Sequence, residues 1–244
     1  MEIYDMHCHL NEFDDKEIED LMKNDIKIVA VSEDVKSLKR ILEISKSYDE
    51  KIIPCGGFHP WTIKNGNIDD NKEILKMVEK EGLNCIGEVG LDKRFLDEST
   101  YKIQEEIFIS YVKLAKELNS FLNIHSPNAW NDVLTILEKE GIKKAMFHWY
   151  TGPTNLIKEI TNRGYMISLN VALMIQKKHQ IIIKETPIVN AVVESDGPYN
   201  YHGIRLTPLM IFDFIDFITK LINIDKIKLT EILNKNSLNL LKKI

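Results

Sequence analysis

The chain has few cysteines, and their spacing excludes two common uses of this residue. Among 244 residues there are 3 cysteines, Cys8, Cys55 and Cys85, and no two of them form a Cys-x-x-Cys pair. An odd number without paired spacing argues against a disulfide framework and indicates a reducing compartment. We therefore expect all three to serve as small buried apolar residues.

Long apolar runs and a basic leader segment are also missing. No stretch approaches the ~20 consecutive apolar residues that a membrane span requires. The first residues show no basic segment followed by an apolar one, which is the pattern of a secretory signal. The sequence therefore predicts a cytoplasmic protein that makes no membrane contact.

Positive charge is not in excess. The chain contains 32 Lys and Arg against 37 Asp and Glu, which gives a formal net charge of -5 and a pI near 5.9. This balance excludes broad electrostatic attraction to nucleic acid or anionic lipid, although a metal-lined pocket can still bind phosphate locally. The hydrophobic content of 44% and charged content of 28% are typical of an ordered globular protein.

The chain does contain a regular alternation of apolar strand-like runs and helical segments. Strands are predicted near residues 3–9, 26–32, 52–58, 84–89, 121–125, 144–148, 165–170 and 191–195. Helical segments separate most of them, and two more, near 207–221 and 225–242, finish the chain. This order indicates parallel strands joined by right-handed crossovers. We expect an α/β fold in one domain over residues 1–244: a TIM-type (β/α)8 barrel, regular or distorted, with C-terminal helices. An open doubly wound sheet is the alternative.

The first strand carries Asp5-Met6-His7-Cys8-His9. Strict strand alternation would place Ile3 with the Asp and both His residues on one face, and Tyr4, Met6, Cys8 and Leu10 on the other. Unpaired polar groups are costly to bury inside a barrel, and a metal ion removes that cost. By itself, however, His-x-His is more often a polar decoration than a metal site.

Other potential metal ligands recur at the ends of later predicted strands. They are Glu88 at strand four, His125 at strand five, His148 at strand six and Asp196 after strand eight. The C-terminal strand ends of a barrel surround one mouth, so these groups would meet His7 and His9 there, whereas an open sheet would place them in a row. Four imidazoles and two carboxylates exceed the needs of one tetrahedral ion and can be divided between two bridged ions.

Six ordered segments resemble the motifs of the TatD family of metal-dependent deoxyribonucleases, within the amidohydrolase-like barrel superfamily. They are Asp5-Met6-His7-Cys8-His9, Gly56-Gly57-Phe58-His59-Pro60, Gly87-Glu88-Val89-Gly90-Leu91-Asp92, Asn123-Ile124-His125-Ser126, Phe147-His148-Trp149-Tyr150-Thr151-Gly152 and Glu194-Ser195-Asp196-Gly197-Pro198-Tyr199. The resemblance implies a barrel with a dinuclear metal centre that hydrolyses phosphodiesters.

The resemblance also implies a role for each ligand. His7 and His9 would hold the first ion, His125 and His148 the second, and Glu88 would bridge them. Asp196 would bind the first ion and orient the attacking water or accept its proton, so Asp196 and Glu88 are the catalytic candidates. Nitrogen-rich ligation favours zinc for the two divalent ions. Since the family is usually described as magnesium-dependent, magnesium or manganese remains possible as the activating ion.

Further residues are candidates for substrate contact. His59, after two glycines that permit a tight turn, is assigned phosphate contact or proton transfer, with a hydrogen bond to the loop backbone as the alternative. Pro127 stands where the family commonly has arginine, which moves the expected phosphate contacts to Lys93, Arg94 or Arg205; a surface salt bridge is the alternative for Arg205.

Several polar and aromatic residues near the motifs have two possible roles. Asp92 either supports a metal ligand by hydrogen bonding or caps the following loop. Trp61, Trp149 and Tyr199 can either stack on a base or pack the rim. His179 is expected on an exposed helix and His202 in a loop.

These observations favour a hydrolase of phosphodiesters that trims the ends of its substrate, DNA or RNA, without a stable protein partner. One alternative keeps the metal centre but cleaves an ester, amide or aminoacyl-tRNA bond. The other is a non-catalytic metal-binding scaffold, which the full ligand set makes the weakest of the three.

Overall fold

The computed structural model describes residues 2–65 and 68–242. Eight parallel strands form one sheet in which every neighbour in sequence is a neighbour in space. The strands are β1 (Ile3–Cys8), β2 (Ile26–Val31), β3 (Ile52–Cys55), β4 (Cys85–Gly90), β5 (Phe121–His125), β6 (Ala145–Phe147), β7 (Met166–Asn170) and β8 (Ala191–Glu194). The sheet curls into a nearly closed barrel, which confirms the predicted fold class and excludes the doubly wound alternative.

The helices surround the barrel, as predicted. They are α1 (Asp15–Met22), α2 (Val35–Ser47), α3 (Asp70–Glu81), α4 (Tyr101–Leu118), α5 (Trp130–Glu140), α6 (Thr154–Asn162), α7 (Ile181–Glu185), α8 (Met210–Ile222) and α9 (Lys226–Leu241). The helices α1, α2 and α9 are capped by the preceding residues Asp14, Asp34 and Asp225, each of which accepts a backbone hydrogen bond from the first helical turn. No helix in the described ranges is both long enough and apolar enough to cross a bilayer.

Two apolar layers hold the barrel together, because both faces of a parallel sheet are covered. On β2, Ile28 and Ala30 pack in the layer between strands and helices, whereas Val29 and Val31 pack inside the barrel. The interior layer takes residues from every strand, and Leu240 of α9 joins it. The C-terminal helix therefore contributes directly to the barrel core.

The first strand does not alternate strictly. Tyr4 and Met6 lie in the interior layer, whereas Ile3 and Cys8 lie in the outer one. The pairing register between β1 and β2 shifts between Asp5 and Cys8. The predicted grouping of Cys8 with Tyr4 and Met6 is therefore wrong, since an irregularity re-aims the side chains that follow it.

The first and last strands are joined by hydrogen bonds beyond β8. The backbone N–H of Asp196 donates to the carbonyl of His7 at 2.9 Å. The backbone N–H and hydroxyl of Ser195 donate to the two carboxylate oxygens of Asp5 at 2.9 and 2.5 Å. Burial raises the pKa of Asp5 to about 7 in spite of these donors. The barrel is thus closed next to the His-x-His motif.

The cysteines are buried as expected, but they are not all free. Cys8 is a buried free thiol. Cys55 and Cys85 are register partners on β3 and β4, with Cα atoms 4.5 Å apart, and form a disulfide. The expectation of three unpaired cysteines is wrong, because pairing in space depends on strand register rather than on sequence spacing.

Candidate metal centre

All six predicted ligands lie at the C-terminal mouth of the barrel. A cavity of about 490 Å³ opens there, and His9, Glu88, His125, His148 and Asp196 line it. His7 lies beneath them and is fully buried. The irregular registers of β1 and β4 occur at His7 and Glu88, so both strands depart from regular pairing where they present a ligand candidate.

Four of these side chains converge on one point. The Nε2 atoms of His7 and His9 are 3.4 Å apart. Each of these nitrogens lies 3.3 or 3.4 Å from Oε2 of Glu88 and from Oδ1 of Asp196. The corners of a tetrahedron with zinc bond lengths of about 2.0–2.2 Å are about 3.3–3.6 Å apart. The donor set therefore fits one tetrahedral divalent ion.

The other oxygen of Glu88 faces a second group of imidazoles. Its Oε1 lies 2.8 Å from Nδ1 of His125 and 3.8 Å from Nε2 of His148. His59 is also near, with Nε2 3.4 Å from the same oxygen. Glu88 thus offers one oxygen to each group, which is the arrangement of a carboxylate that bridges two ions.

Asn123 determines which nitrogen of His7 faces the centre. Its amide N–H donates to the carbonyl of Met6 at 2.9 Å, so its Oδ1 is the atom 2.8 Å from Nδ1 of His7. Nδ1 must then carry the proton, and Nε2 presents its lone pair to the centre. Sequence reasoning missed Asn123, although its position two residues before His125 on β5 places it on the same strand face.

Asp92 determines which nitrogen of His125 faces Glu88. Nε2 of His125 donates to Oδ2 of Asp92 at 2.8 Å, which leaves Nδ1 to face Glu88. The indole N–H of Trp61 donates to the same oxygen at 2.7 Å. The other oxygen accepts the backbone N–H groups of Arg94 and Phe95, each at 2.7 Å. Asp92 therefore fills both predicted roles, since it supports a ligand candidate and also caps the following loop.

His148 has a carboxylate behind it as well. Its Nδ1 lies 2.9 Å from Oε1 of Glu194, although out of line for a hydrogen bond. The same oxygen accepts the backbone N–H of Trp149 at 2.8 Å and an amide N–H of Asn170 at 3.2 Å. Glu194 was missed as a site residue because it precedes the Ser195-Asp196 motif within a buried strand.

His59 differs from the ligand candidates in its tautomer. The backbone N–H of Trp61 donates to its Nδ1 at 3.1 Å, so that nitrogen carries the lone pair and Nε2 carries the proton. Burial lowers the pKa of His59, which favours the neutral ring. His59 therefore presents an N–H donor, not a lone pair, to the cavity.

Gly57 permits close packing instead of the predicted turn, since a Cβ there would lie 2.5 Å from the backbone of Gly87.

The charges of the cluster suit a bound cation. Burial lowers the pKa of His9, but Asp196 and Glu88 outweigh burial and raise it to about 10. Burial also opposes protonation of His125, yet Asp92 and Glu88 raise its pKa to about 9. Burial raises the pKa of Asp196, but the neighbouring imidazoles hold it well below its ordinary value. The carboxylates thus attract positive charge, which a divalent ion supplies.

The predicted phosphate contacts are placed differently from one another. Arg94 lines the cavity. Lys93 lies outside it and pairs with Asp132 at 2.7 Å. Arg205 is also outside the cavity and is held by Glu17. The structure therefore does not bring Lys93 and Arg205 to the metal centre, and for Arg205 the surface salt bridge is the arrangement found.

The three aromatic candidates line the cavity in two groups, together with Phe95 and Tyr201. On one side, the ring of Trp61 lies 5.5 Å from that of Phe95. On the other, Trp149 lies 5.8 Å from Tyr199 and 5.5 Å from Tyr201. All five line the cavity. In each pair the edge of one ring packs against the face of the other, with interplanar angles of 79°, 84° and 64°.

An eight-stranded parallel barrel with His, Glu and Asp donors at its C-terminal mouth defines the class of metal-dependent hydrolase barrels. The family model described as TatD related DNase matches residues 4–242. The chain therefore belongs to the TatD-related DNase family.

Individual relatives agree with this membership. The chain is 27% identical over 263 residues to deoxyribonuclease TATDN3 of Homo sapiens, covering 99% of this chain and 95% of that protein. It is 31% identical over 207 residues to the uncharacterized metal-dependent hydrolase YabD of Bacillus subtilis, covering 81% and 80%. The crystal structure of the TatD homologue YjjV from Escherichia coli superposes with a TM-score of 0.88 at 19% identity, covering 98% and 97%. The last similarity shows the shared fold.

Proposed function

We propose that this protein hydrolyses phosphodiester bonds at the ends of nucleic-acid chains, with two divalent ions that Glu88 and the residues around it would hold. The observation that carries the proposal is the position of Glu88, whose two oxygens face two separate groups of imidazoles. His7, His9 and Asp196 would hold the first ion with Glu88. His125 and His148 would hold the second. The human relative named deoxyribonuclease supports the choice of substrate.

The residues of the mouth divide the chemistry between them. Two bound divalent ions would lower the pKa of a water molecule from ~15.7 toward ~7 and would neutralise charge on the phosphoryl oxygens. Asp196 is placed to orient the attacking water, since the surrounding imidazoles keep this carboxylate ionised. The Nε2–H group of His59 is placed to donate a hydrogen bond to a phosphoryl oxygen, since Nδ1 already accepts the backbone N–H of Trp61.

Ligand type favours zinc at both positions, because imidazole nitrogen suits zinc better than magnesium. The tetrahedral spacing of the first donor set agrees with that choice. Magnesium or manganese is the alternative as the activating ion. Metal analysis of the protein purified without chelators, followed by activity with each ion restored separately, distinguishes these cases.

The function is tested by incubating the metal-loaded protein with end-labelled single-stranded and duplex DNA and RNA. A parallel panel of carboxyl esters and lactones tests the alternative hydrolase. We expect shortened nucleic-acid products with the wild type and a loss of about 10²–10⁴-fold in rate with Asp196→Asn. Equal degradation by wild type and variant would indicate a contaminating nuclease and reject the proposal, while cleavage of the ester panel alone would support the alternative.

A further inference from the structure

Charged residues outside the ligand set line the cavity in two groups. Glu12 and Glu33 follow β1 and β2 and lie beside His9. Arg94 follows β4 and His179 follows β7, and these two lie near one another. The lining carboxylates outside the ligand set are therefore grouped apart from Arg94 and His179.

Arg94 is the principal cation of this mouth. Among the described residues that line the cavity, it is the only lysine or arginine. The loops after β5 and β6 contribute Ser126, Pro127 and Thr151 to the lining, and none of these carries charge. An anionic group in the cavity therefore finds its permanent positive charge at Arg94, apart from bound metal.

Arg94 is also free to bind a ligand. Lys93 and Arg205 each form an ion pair with a carboxylate. Within residues 2–65 and 68–242, neither Arg94 nor Lys178 forms one. The pKa of His179 is lowered mainly by burial, and the positive charges of Lys178 and Arg94 lower it further. These three basic groups thus form a cluster from two loops that are distant in sequence, and its two permanent cations have no carboxylate partner.

Asp92 fixes this cluster relative to the metal centre. One of its oxygens accepts the backbone N–H of Arg94, and the other accepts the ring N–H of His125. The base of the Arg94 side chain therefore has a defined position beside the ligand candidate His125. A planar guanidinium whose backbone is anchored beside the ligand candidates is suited to bind a phosphate in two-point fashion.

We propose that Arg94, with His179 beside it, forms a second anion subsite for the phosphate adjacent to the scissile one in a polynucleotide. The inference rests on the proposed function. The long part of the polynucleotide would extend past Arg94, because Glu12 and Glu33 repel a polyanion. The short end, which is released by cleavage, would lie beside the two glutamates.

The test compares two substrates that differ in the number of phosphates. One is a single-stranded oligonucleotide, and the other is bis(p-nitrophenyl) phosphate, which has a single phosphodiester. In Arg94→Gln we expect KM for the oligonucleotide to rise about tenfold, while kcat/KM for the small diester stays within about twofold. The dependence of log KM on log salt should become shallower by about 0.7 for each lost phosphate contact. Lys178→Gln should show a smaller change of the same kind.

Arg163→Gln is the matched control. It removes the same charge from an arginine paired with Glu138 at the C-terminal end of α6, opposite the mouth. This variant should behave as the wild type with both substrates. Arg94→Lys keeps the charge without the planar fork, so it should restore the salt dependence and only part of the affinity.

Two results would overturn the subsite while leaving the proposed function intact. These are an equal loss on both substrates in Arg94→Gln, and no loss on either. If the wild type cleaves neither substrate, the proposed function fails, and fluorescence anisotropy with a labelled oligonucleotide tests the subsite alone. Weaker binding in Arg94→Gln than in Arg163→Gln would then support it, and equal binding would reject it.

Discussion

The two halves of the candidate metal centre differ in the regularity of their donor spacing. The first donor set, His7, His9, Glu88 and Asp196, has facing atoms at nearly uniform separations of 3.3–3.4 Å. Around Oε1 of Glu88 the second set is uneven, with His125 at 2.8 Å and His148 at 3.8 Å. The first set joins β1 to the end of β8, where the barrel is closed. If two ions bind as proposed, we expect the first donor set to hold its ion more tightly than the second.

The largest effect should come from the residue that both sets share. Glu88→Gln keeps the shape of the side chain but removes the charge that faces both imidazole groups. We expect loss of both ions and a fall in kcat of about 10³-fold or more, measured by metal content and turnover. Glu73→Gln, which alters a surface ion pair with Lys39 on α2, is the control. Retention of two ions by Glu88→Gln would show that Glu88 does not bridge them.

A second variant separates the two sets. His125→Ala removes a donor from the second set alone, so metal content should fall from two ions to one. Turnover should fall about 10²-fold, since charge on the phosphoryl oxygens is then less well neutralised. Calorimetric titration of the apoprotein should show two binding events in the wild type and one in the variant. Simultaneous loss of both events would mean that the sets are not independent.

Smaller effects should follow from the groups that orient the imidazoles. Asn123→Leu leaves Nδ1 of His7 without its acceptor and should weaken the first ion by about 10–100-fold. Asp92→Asn should weaken the second ion by a similar factor. Asn123→Asp retains an acceptor oxygen and should recover most of the affinity. If Asn123→Leu weakened only the second ion, the assignment of Asn123 to the first would be wrong. Metal affinity, not activity, is the quantity to measure.

The smallest effects are expected from the two cations that lie away from the centre. Lys93→Gln and Arg205→Gln should each change kcat/KM for an oligonucleotide by less than about twofold, because both side chains are engaged in exposed ion pairs. A tenfold loss of kcat/KM in either variant would indicate that the residue contacts the substrate, as predicted from the sequence.

The sequence predicted the fold from strand and helix periodicity, and the barrel confirms it. It also placed the ligand candidates together, because strand ends in a parallel barrel meet at one mouth whatever their separation along the chain. Glu88 and Asp196 are near one another for this reason, although 108 positions separate them in the numbering. Their roles as ligands stay predictions.

Features that depend on exact register and on side-chain partners were not predictable. The register shift in β1 cannot be recognised from the spacing of Tyr4, Met6 and Cys8. Strict alternation therefore placed Cys8 on the wrong face of the strand. The disulfide between Cys55 and Cys85 depends on how β3 pairs with β4. Asn123 reads as an ordinary strand residue until its distance to His7 is known.

The hydrogen bond between the backbone N–H of Asp196 and the carbonyl of His7 joins positions that are 189 apart in the numbering. Closing so long a loop is costly in conformational entropy, so the donors of β1 meet Asp196 only when the last strand has docked beside the first. The first donor set therefore exists in the folded barrel and not in the unfolded chain. An ion held by this set would stabilise the folded state relative to the unfolded one.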